Sequence, residues 1–333
     1  MGDALMRRNI AKVKTQCAVC DTSGGRVVVS LQEHEYPETT DDVFKMVECT
    51  NCGAMRLDPR PDISEINTIY PQSYFAYDLT SEASRNRWSP KAISMRREAR
   101  RMSVLVQRHL GRTPHSVYDI GCGDGATLDL MKTIFGPETR TEGCEVNQIA
   151  AMRAAEMGHV VQNALFESCT IGEKRYDLIV TSHVIEHVAS PLEFLRHAAN
   201  MMTDESILVV DTPNTANPVR RLFGRHWGGW HTPRHWNLFD PRSFEELAHR
   251  ADLQIVGISQ MTINMFWVWS MHSVLYGKFR RAADKYFNPR TTINGGLVAL
   301  VALVVFQGLD RGFLLCSRQA GQMRVVMRRR PAT

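Results

Sequence analysis

The chain has 333 residues, 44% of them hydrophobic and 23% charged, with a net charge of +5 and a pI near 8.8. That composition is ordinary for a soluble protein with a sizeable core in one large or two modest domains. The mild positive excess sits in local runs such as Arg96-Arg97, Arg100-Arg101 and Arg328-Arg329-Arg330, which read as solvated faces rather than a nucleic-acid or anionic-membrane patch, so nucleic acid is not an expected partner.

Met1–Gln16 carries basic residues but no apolar h-region, which predicts no secretory signal and a cytoplasmic protein. Cys17, Cys20, Cys49 and Cys52 then form two C-x-x-C knuckles. In a reducing compartment four thiolates at this spacing point to one tetrahedral zinc, structural because no coordination position is left open. The expected ribbon occupies 1–60. A connector with covering helices follows over 61–115. It holds a short helix Ile63–Ile69, an aromatic stretch with Tyr74 and Tyr77, and a basic amphipathic helix that Ser89-Pro90 opens and Gly111 ends.

Ser116–Leu128 reads as a buried strand, a turn with Gly121, Gly123 and Gly125, and a helix Ala126–Phe135. Alternate glycines remove every second Cβ, so a ligand can lie directly on the backbone. The next strand, Thr141–Val146, brings the carboxylate of Glu145 to where a ribose diol needs an acceptor. Strands and helices then alternate as far as Gln254–Gln260, which predicts a mainly parallel sheet with its crevice at the carboxyl ends of the strands.

The run Asp119-Ile120-Gly121-Cys122-Gly123-Asp124-Gly125 with Glu145 resembles the signature turn, D-x-G-C-G-x-G, of the class I S-adenosylmethionine-dependent methyltransferases. The resemblance covers roughly residues 15–261 and the extreme C-terminus. It implies an α/β fold, a Rossmann-like seven-stranded methyltransferase sheet with its last strand antiparallel, over 116–333. It also implies S-adenosyl-L-methionine as cofactor, held by Asp119, Gly121, Cys122, Gly123, Gly125 and Glu145. Asn163 stands near where the family often has an acidic adenine contact, and His183 lies at the fourth strand end. Some quinone-biosynthetic O-methyltransferases have an E-x-x-E-H segment involved in binding a divalent ion. Here His183 replaces the first Glu, and a metal at Glu186 and His187 is not expected.

The fourth strand end lacks the Asn/Asp-Pro-Pro-aromatic turn of enzymes that methylate base amines, which favours an oxygen acceptor on a small molecule, a sugar or a lipid-linked glycan, with carbon second. Trp227–Pro241 is dense in His, Arg and Trp and is expected to be a loop over the crevice. Removing the hydroxyl proton needs a base: His235 is the first candidate, His231 the second and His187 the third. An RNA methyltransferase that uses the ribbon, or a silent scaffold with the same fold, is the rival reading.

Residues 262–320 interrupt the pattern as a helical insertion before the last strand, Gln322–Arg328. Their run Leu297–Phe306 gives about 15 Å of helix, half of a hydrocarbon core of about 30 Å. A transmembrane span is therefore not expected; burial is preferred, with peripheral contact at the inner membrane face as the alternative.

Overall fold

The computed structural model describes residues 8–71, 74, 90–170, 172–288 and 297–331. Ser89 and Tyr77 lie outside the described residues, as do the side chains of 90–93 and 297–300. The chain opens with five short strands: β1 (Lys12–Val13), β2 (Arg26–Gln32), β3 (Val43–Glu48), β4 (Met55–Leu57) and β5 (Arg60–Pro61). β2, β3 and β4 form an antiparallel meander, and β1 pairs with β5. Two helices follow, α1 (Ile66–Ile69) and α2 (Pro90–His109).

The α/β unit runs β6 (Ser116–Ile120), α3 (Ala126–Phe135), β7 (Arg140–Cys144), α4 (Gln148–Glu156), β8 (Val160–Gln162), β9 (Tyr176–Ser182), α5 (Pro191–Asn200) and β10 (Met202–Pro213). It continues with α6 (Pro218–Phe223), β11 (Asn237–Leu238), α7 (Pro241–Arg250), β12 (Leu253–Met261), α8 (Met265–Tyr286), α9 (Leu297–Ser317) and β13 (Gln322–Arg329). Helix starts follow local chemistry. Ser190 accepts from the Glu193 amide ahead of Pro191, and Asp240 and Ser243 make a reciprocal capping box around Pro241.

The seven-stranded sheet has the order β12-β13-β10-β9-β6-β7-β8, with β13 antiparallel to both neighbours and the other pairs parallel. This is the expected methyltransferase sheet. Every residue of β6 is buried, as a central strand covered on both faces requires. β6 lies between β7 and β9, so the strand order reverses around the carboxyl end of β6, where a crevice forms.

The His/Arg/Trp loop does not lie open over the crevice. Its strand β11 pairs with β4 and becomes the fourth strand of the ribbon sheet. Trp227, Trp230 and Trp236 pack in one cluster with Phe44, Met46 and Leu57 of the ribbon and with Phe266, Trp267 and Trp269 of α8. Seven large aromatics supply more apolar area than a short solvated loop could leave in water, so the loop folds inward.

The apolar run of α9 is not buried as preferred from sequence: Val301, Val304 and Val305 are 53%, 65% and 52% exposed. The helix has a different inner face. Asp310 accepts from the Ile263 amide and from Trp267 Nε1, while Phe306 stacks on Trp267. Those contacts fix the roll of the helix and turn the valines outward.

Candidate active site

The glycine turn leaves β6 through three left-handed residues, Gly121, Gly123 and Gly125, with φ of 77°, 54° and 85°. A Cβ at Gly121 would stand 2.6 Å from Val184 Cγ2, and one at Gly125 would stand 2.9 Å from His159 Cδ2. At Gly123 a Cβ would meet nothing within 4 Å, so the open side of the turn is there. Glu145, just past β7, turns its carboxylate onto the same turn: Oε2 accepts from the Gly123 amide at 3.0 Å and Oε1 from the Asn147 amide at 2.8 Å.

Asp119 is buried beneath the turn, and burial together with the charge of Glu145 raises its pKa well above the ordinary carboxylate value. Cys122 is buried as well, and desolvation, followed by the charges of Asp119 and Glu145, pushes its thiol pKa upward. Asn163 spends its amide hydrogens on the carbonyls of Glu145 and Val146, at 2.8 and 3.0 Å. It thereby ties the segment after β8 to the Glu145 loop. The turn, Glu145 and Asn163 are thus one hydrogen-bonded assembly at the switch point.

A second group lies at the ends of β9 and β10. His183 has φ of 55° and donates its amide to Asp211, and its Nδ1 sits 2.9 Å from Glu186 Oε1. Burial opposes the imidazolium, but the Glu186 carboxylate outweighs it and the His183 pKa is raised. Glu186 is fully buried and also accepts from Thr212 Oγ1 at 3.1 Å. Desolvation works to raise its pKa, and His183 more than offsets this, so the pKa is lowered.

His187 and His235 stack edge-on at 4.7 Å. The Nδ1 of His235 lies 2.8 Å from the Gly229 carbonyl, an acceptor that assigns the proton to Nδ1 and leaves Nε2 as the basic atom. That Nε2 is 4.0 Å from Glu186. His187 Nδ1 faces the Arg234 carbonyl at 3.0 Å and the Tyr70 hydroxyl at 2.8 Å. Burial lowers the His187 pKa to about 4 and the His235 pKa well below its ordinary value, so both are neutral near pH 7. Sequence adjacency gave no reason for Glu186 and His187 to converge. The structure nevertheless brings one ligand atom from each of Glu186, His187 and His235 within 4.8 Å of one another, an arrangement able to take a proton or a cation.

His231 packs edge-on against His235, with ring centroids 5.0 Å apart, but its nitrogens turn to other partners. Its Nδ1 is 3.0 Å from Glu35, its Nε2 is 3.1 Å from the Tyr74 hydroxyl, and its ring stacks on Trp269. With both nitrogens engaged it orients the loop. Beside it Arg234, fully buried, pairs with Glu33 at 2.6 Å and lies over the Tyr36 ring at 4.4 Å. Sequence reasoning missed Glu33, Glu35 and Tyr36 as partners of the loop. The signal available was a Glu-His-Glu-Tyr run in a ribbon that needs no such residues for metal binding.

At the ribbon's tip the four cysteines are free thiols whose sulfurs all lie within 4.8 Å of one another. Cys17 and Cys52 are 3.5 Å apart, as are Cys20 and Cys49. Zn–S bonds of about 2.3 Å in a tetrahedron require S···S distances of roughly 3.8 Å, so the cluster fits such an ion.

The methyltransferase-domain family matches residues 95–258. A ubiquinone biosynthesis O-methyltransferase of Caulobacter sp. is 35% identical over 111 residues, covering 31% of this chain and 44% of that protein. One of the same description from Cereibacter sphaeroides is 26% identical over 164 residues, covering 46% and 66%. The chain therefore spans about half to two thirds of the length of these relatives. Among solved structures, the plantazolicin methyltransferase BpumL in complex with a triazolic desmethylPZN analog and SAH aligns with a TM-score of 0.46 and 16% identity, over 74% of this chain and 88% of that one. With the matched segment containing the glycine turn, Glu145 and most of the seven-stranded sheet, the chain carries a class I S-adenosylmethionine-dependent methyltransferase domain, joined to an N-terminal four-cysteine ribbon.

Proposed function

We propose that the protein transfers the methyl group of S-adenosylmethionine to a hydroxyl oxygen of a small molecule, the acceptor being a sugar, another small hydroxylated compound or a lipid-linked glycan. The observation that carries this reading is the open face at Gly123 beside the Glu145 carboxylate, at the switch point of the sheet. The curated relatives, described as ubiquinone biosynthesis O-methyltransferases, support oxygen as the methylated atom.

When bound, the cofactor supplies an activated methyl; the protein's tasks are alignment and proton removal. Glu145 would hold the ribose hydroxyls, the Gly121–Gly125 backbone would lie along the amino-acid portion, and Asn163 would border the adenine. His235 is the proposed general base: neutral, fixed as the Nδ1–H tautomer by the Gly229 carbonyl, and basic at Nε2. Glu186 stabilises the imidazolium formed there, His187 is the alternative base, and His231 positions the loop. Cys17, Cys20, Cys49 and Cys52 would hold one structural zinc.

A screen of phenols, sugars and lipid-linked glycans with methyl-labelled cofactor tests the assignment. Label should enter a hydroxyl with wild type and be reduced by about 10²-fold or more in His235→Ala, the usual contribution of a general base. Absence of cofactor binding in calorimetry by folded protein would favour a scaffold instead.

A further inference from the structure

We propose that the protein docks on an anionic lipid bilayer through the outer face of α9 and an adjoining arginine groove formed with α2. The proposal does not depend on the acceptor suggested above. Along α9 the exposed positions Val301, Val304, Val305, Leu309 and Leu315 recur at helical spacing, without a charged residue among them. They form a continuous apolar stripe of about 21 Å at ~1.5 Å per residue. Leu315 is 83% exposed, which solvent alone does not favour.

One edge of this stripe is bounded by Arg311. The same arginine, with Leu314, lines a cavity of about 670 Å³ whose other walls come from α2, β12 and β13. Arg100, Arg101 and Arg108 of α2 stand exposed along it; Arg101 lies 3.9 Å from Glu98, and Arg324 at the wall is paired with Glu98 and Asp211, while among the described residues no aspartate or glutamate lines the cavity itself. Val104 and Ile258 make its apolar wall. A surface of this kind has two complementary halves, an apolar stripe suited to the acyl boundary and a cationic groove suited to lipid phosphates. A protein partner would need a matching acidic strip beside an apolar one; a bilayer containing anionic lipid presents both everywhere. Insertion is shallow, because among the described residues no helix is long and apolar enough to cross a membrane.

The test is flotation of the full-length protein with phosphatidylcholine vesicles and with vesicles that also contain phosphatidylglycerol. Wild type is expected to float with the anionic vesicles only and to be released by high salt. Replacing Arg100, Arg101 and Arg108 together by Gln should weaken binding on the order of a hundredfold, roughly fivefold for each cation near an anionic surface. Val304→Gln with Leu309→Gln should abolish flotation while cofactor binding, measured by calorimetry, is retained. Wild type remaining at the bottom of both gradients overturns the proposal. So does a dimer in light scattering that the Val304→Gln, Leu309→Gln variant converts to monomer, since a second copy then covers the stripe. Binding equally to both vesicle types removes the arginine groove from the surface.

Discussion

A Cβ added at Gly121 or Gly125 would strike protein, whereas at Gly123 it would enter open space, so the three glycines serve different ends. The outer two allow close packing, and the middle one keeps room for a ligand. Gly123→Val should leave the protein folded, with some strain from its φ of 54°, and abolish S-adenosylmethionine binding in calorimetry; unchanged affinity would take the cofactor off this turn. Glu145→Ala should weaken the cofactor by roughly 1.5–3 kcal/mol, the range for a hydrogen bond to a charged group. The neutral histidines make a separate prediction about pH. His187 and His235 have native pKa values below their ordinary 6.5, so as pH falls from 6.5 toward 4 the unfolded chain binds two protons that the native state refuses. Their stabilisation is present above pH 6.5 and is lost on acidification; the two together contribute up to about 2.7 kcal/mol per pH unit to the slope, to which His34, His109, His159 and His226, also lowered by burial, add. His183, whose native pKa is raised, is charged in both states over most of that window; its contribution is lost instead as pH rises through its native pKa. Glu186, with its lowered pKa, loses its contribution only as pH falls through its native value. Urea denaturation at several pH values should show the slope, and His187→Gln should reduce it by up to about 1.4 kcal/mol per pH unit. An unchanged slope would mean that His187 is protonated in the native protein.

Between elements, the strongest tie is the one joining the ribbon to the loop after α6. Arg234 and Glu33 are both without solvent exposure, and removing one partner of such a pair leaves a buried charge uncompensated. Glu33→Ala should therefore cost about 3–5 kcal/mol in urea denaturation. A loss below about 1 kcal/mol would show that water reaches the guanidinium. This tie explains what could be read in advance and what could not. The strand, turn and helix around Gly121–Gly125 and the boundaries of α3 follow from local periodicity and glycine placement, so they are legible residue by residue, whereas the antiparallel β13 is what the family resemblance implies. The pairing of β11 with β4 joins residues about 180 positions apart, and no local pattern encodes it. The same holds for the Glu35–His231 contact and for the roll of α9, which depends on where Asp310 finds its donors. The polar residues of the loop find their partners in the ribbon, which lies far away in sequence.

At the scale of the molecule, the ribbon is held at both ends by the larger unit. Cys17, Val19 and Cys49 pack into the same cluster as Phe239, Phe244 and Leu247, while Phe44, Met46 and Leu57 share a core with the tryptophans of the loop and α8. Arg250 of α7 bonds to the Val19 carbonyl and to Asp21 between the two knuckles. If the four thiolates hold zinc, its binding energy stabilises this arrangement, because a metal that binds only the folded ribbon adds its binding free energy to folding. Substituting Cys17 and Cys52 by Ser should remove one zinc per chain and loosen the ribbon, and the loop should loosen with it, since β4 is the strand that β11 pairs with; beyond it the loop keeps the bonds of Trp236 and Asn237 to the Glu186 and Val188 carbonyls. The glycine turn and Glu145 belong to the seven-stranded sheet and should keep their cofactor affinity within a few-fold. Acceptor methylation should fall much further, because His235 and the Gly229 carbonyl that fixes its tautomer both lie on the loop. Hydrogen exchange separates this coupling from a local effect: amides of 227–239 and of the first turns of α8 should exchange faster in the variant, together with those of 12–61. Faster exchange confined to 12–61, with methylation unchanged, would mean that the ribbon does not support the loop.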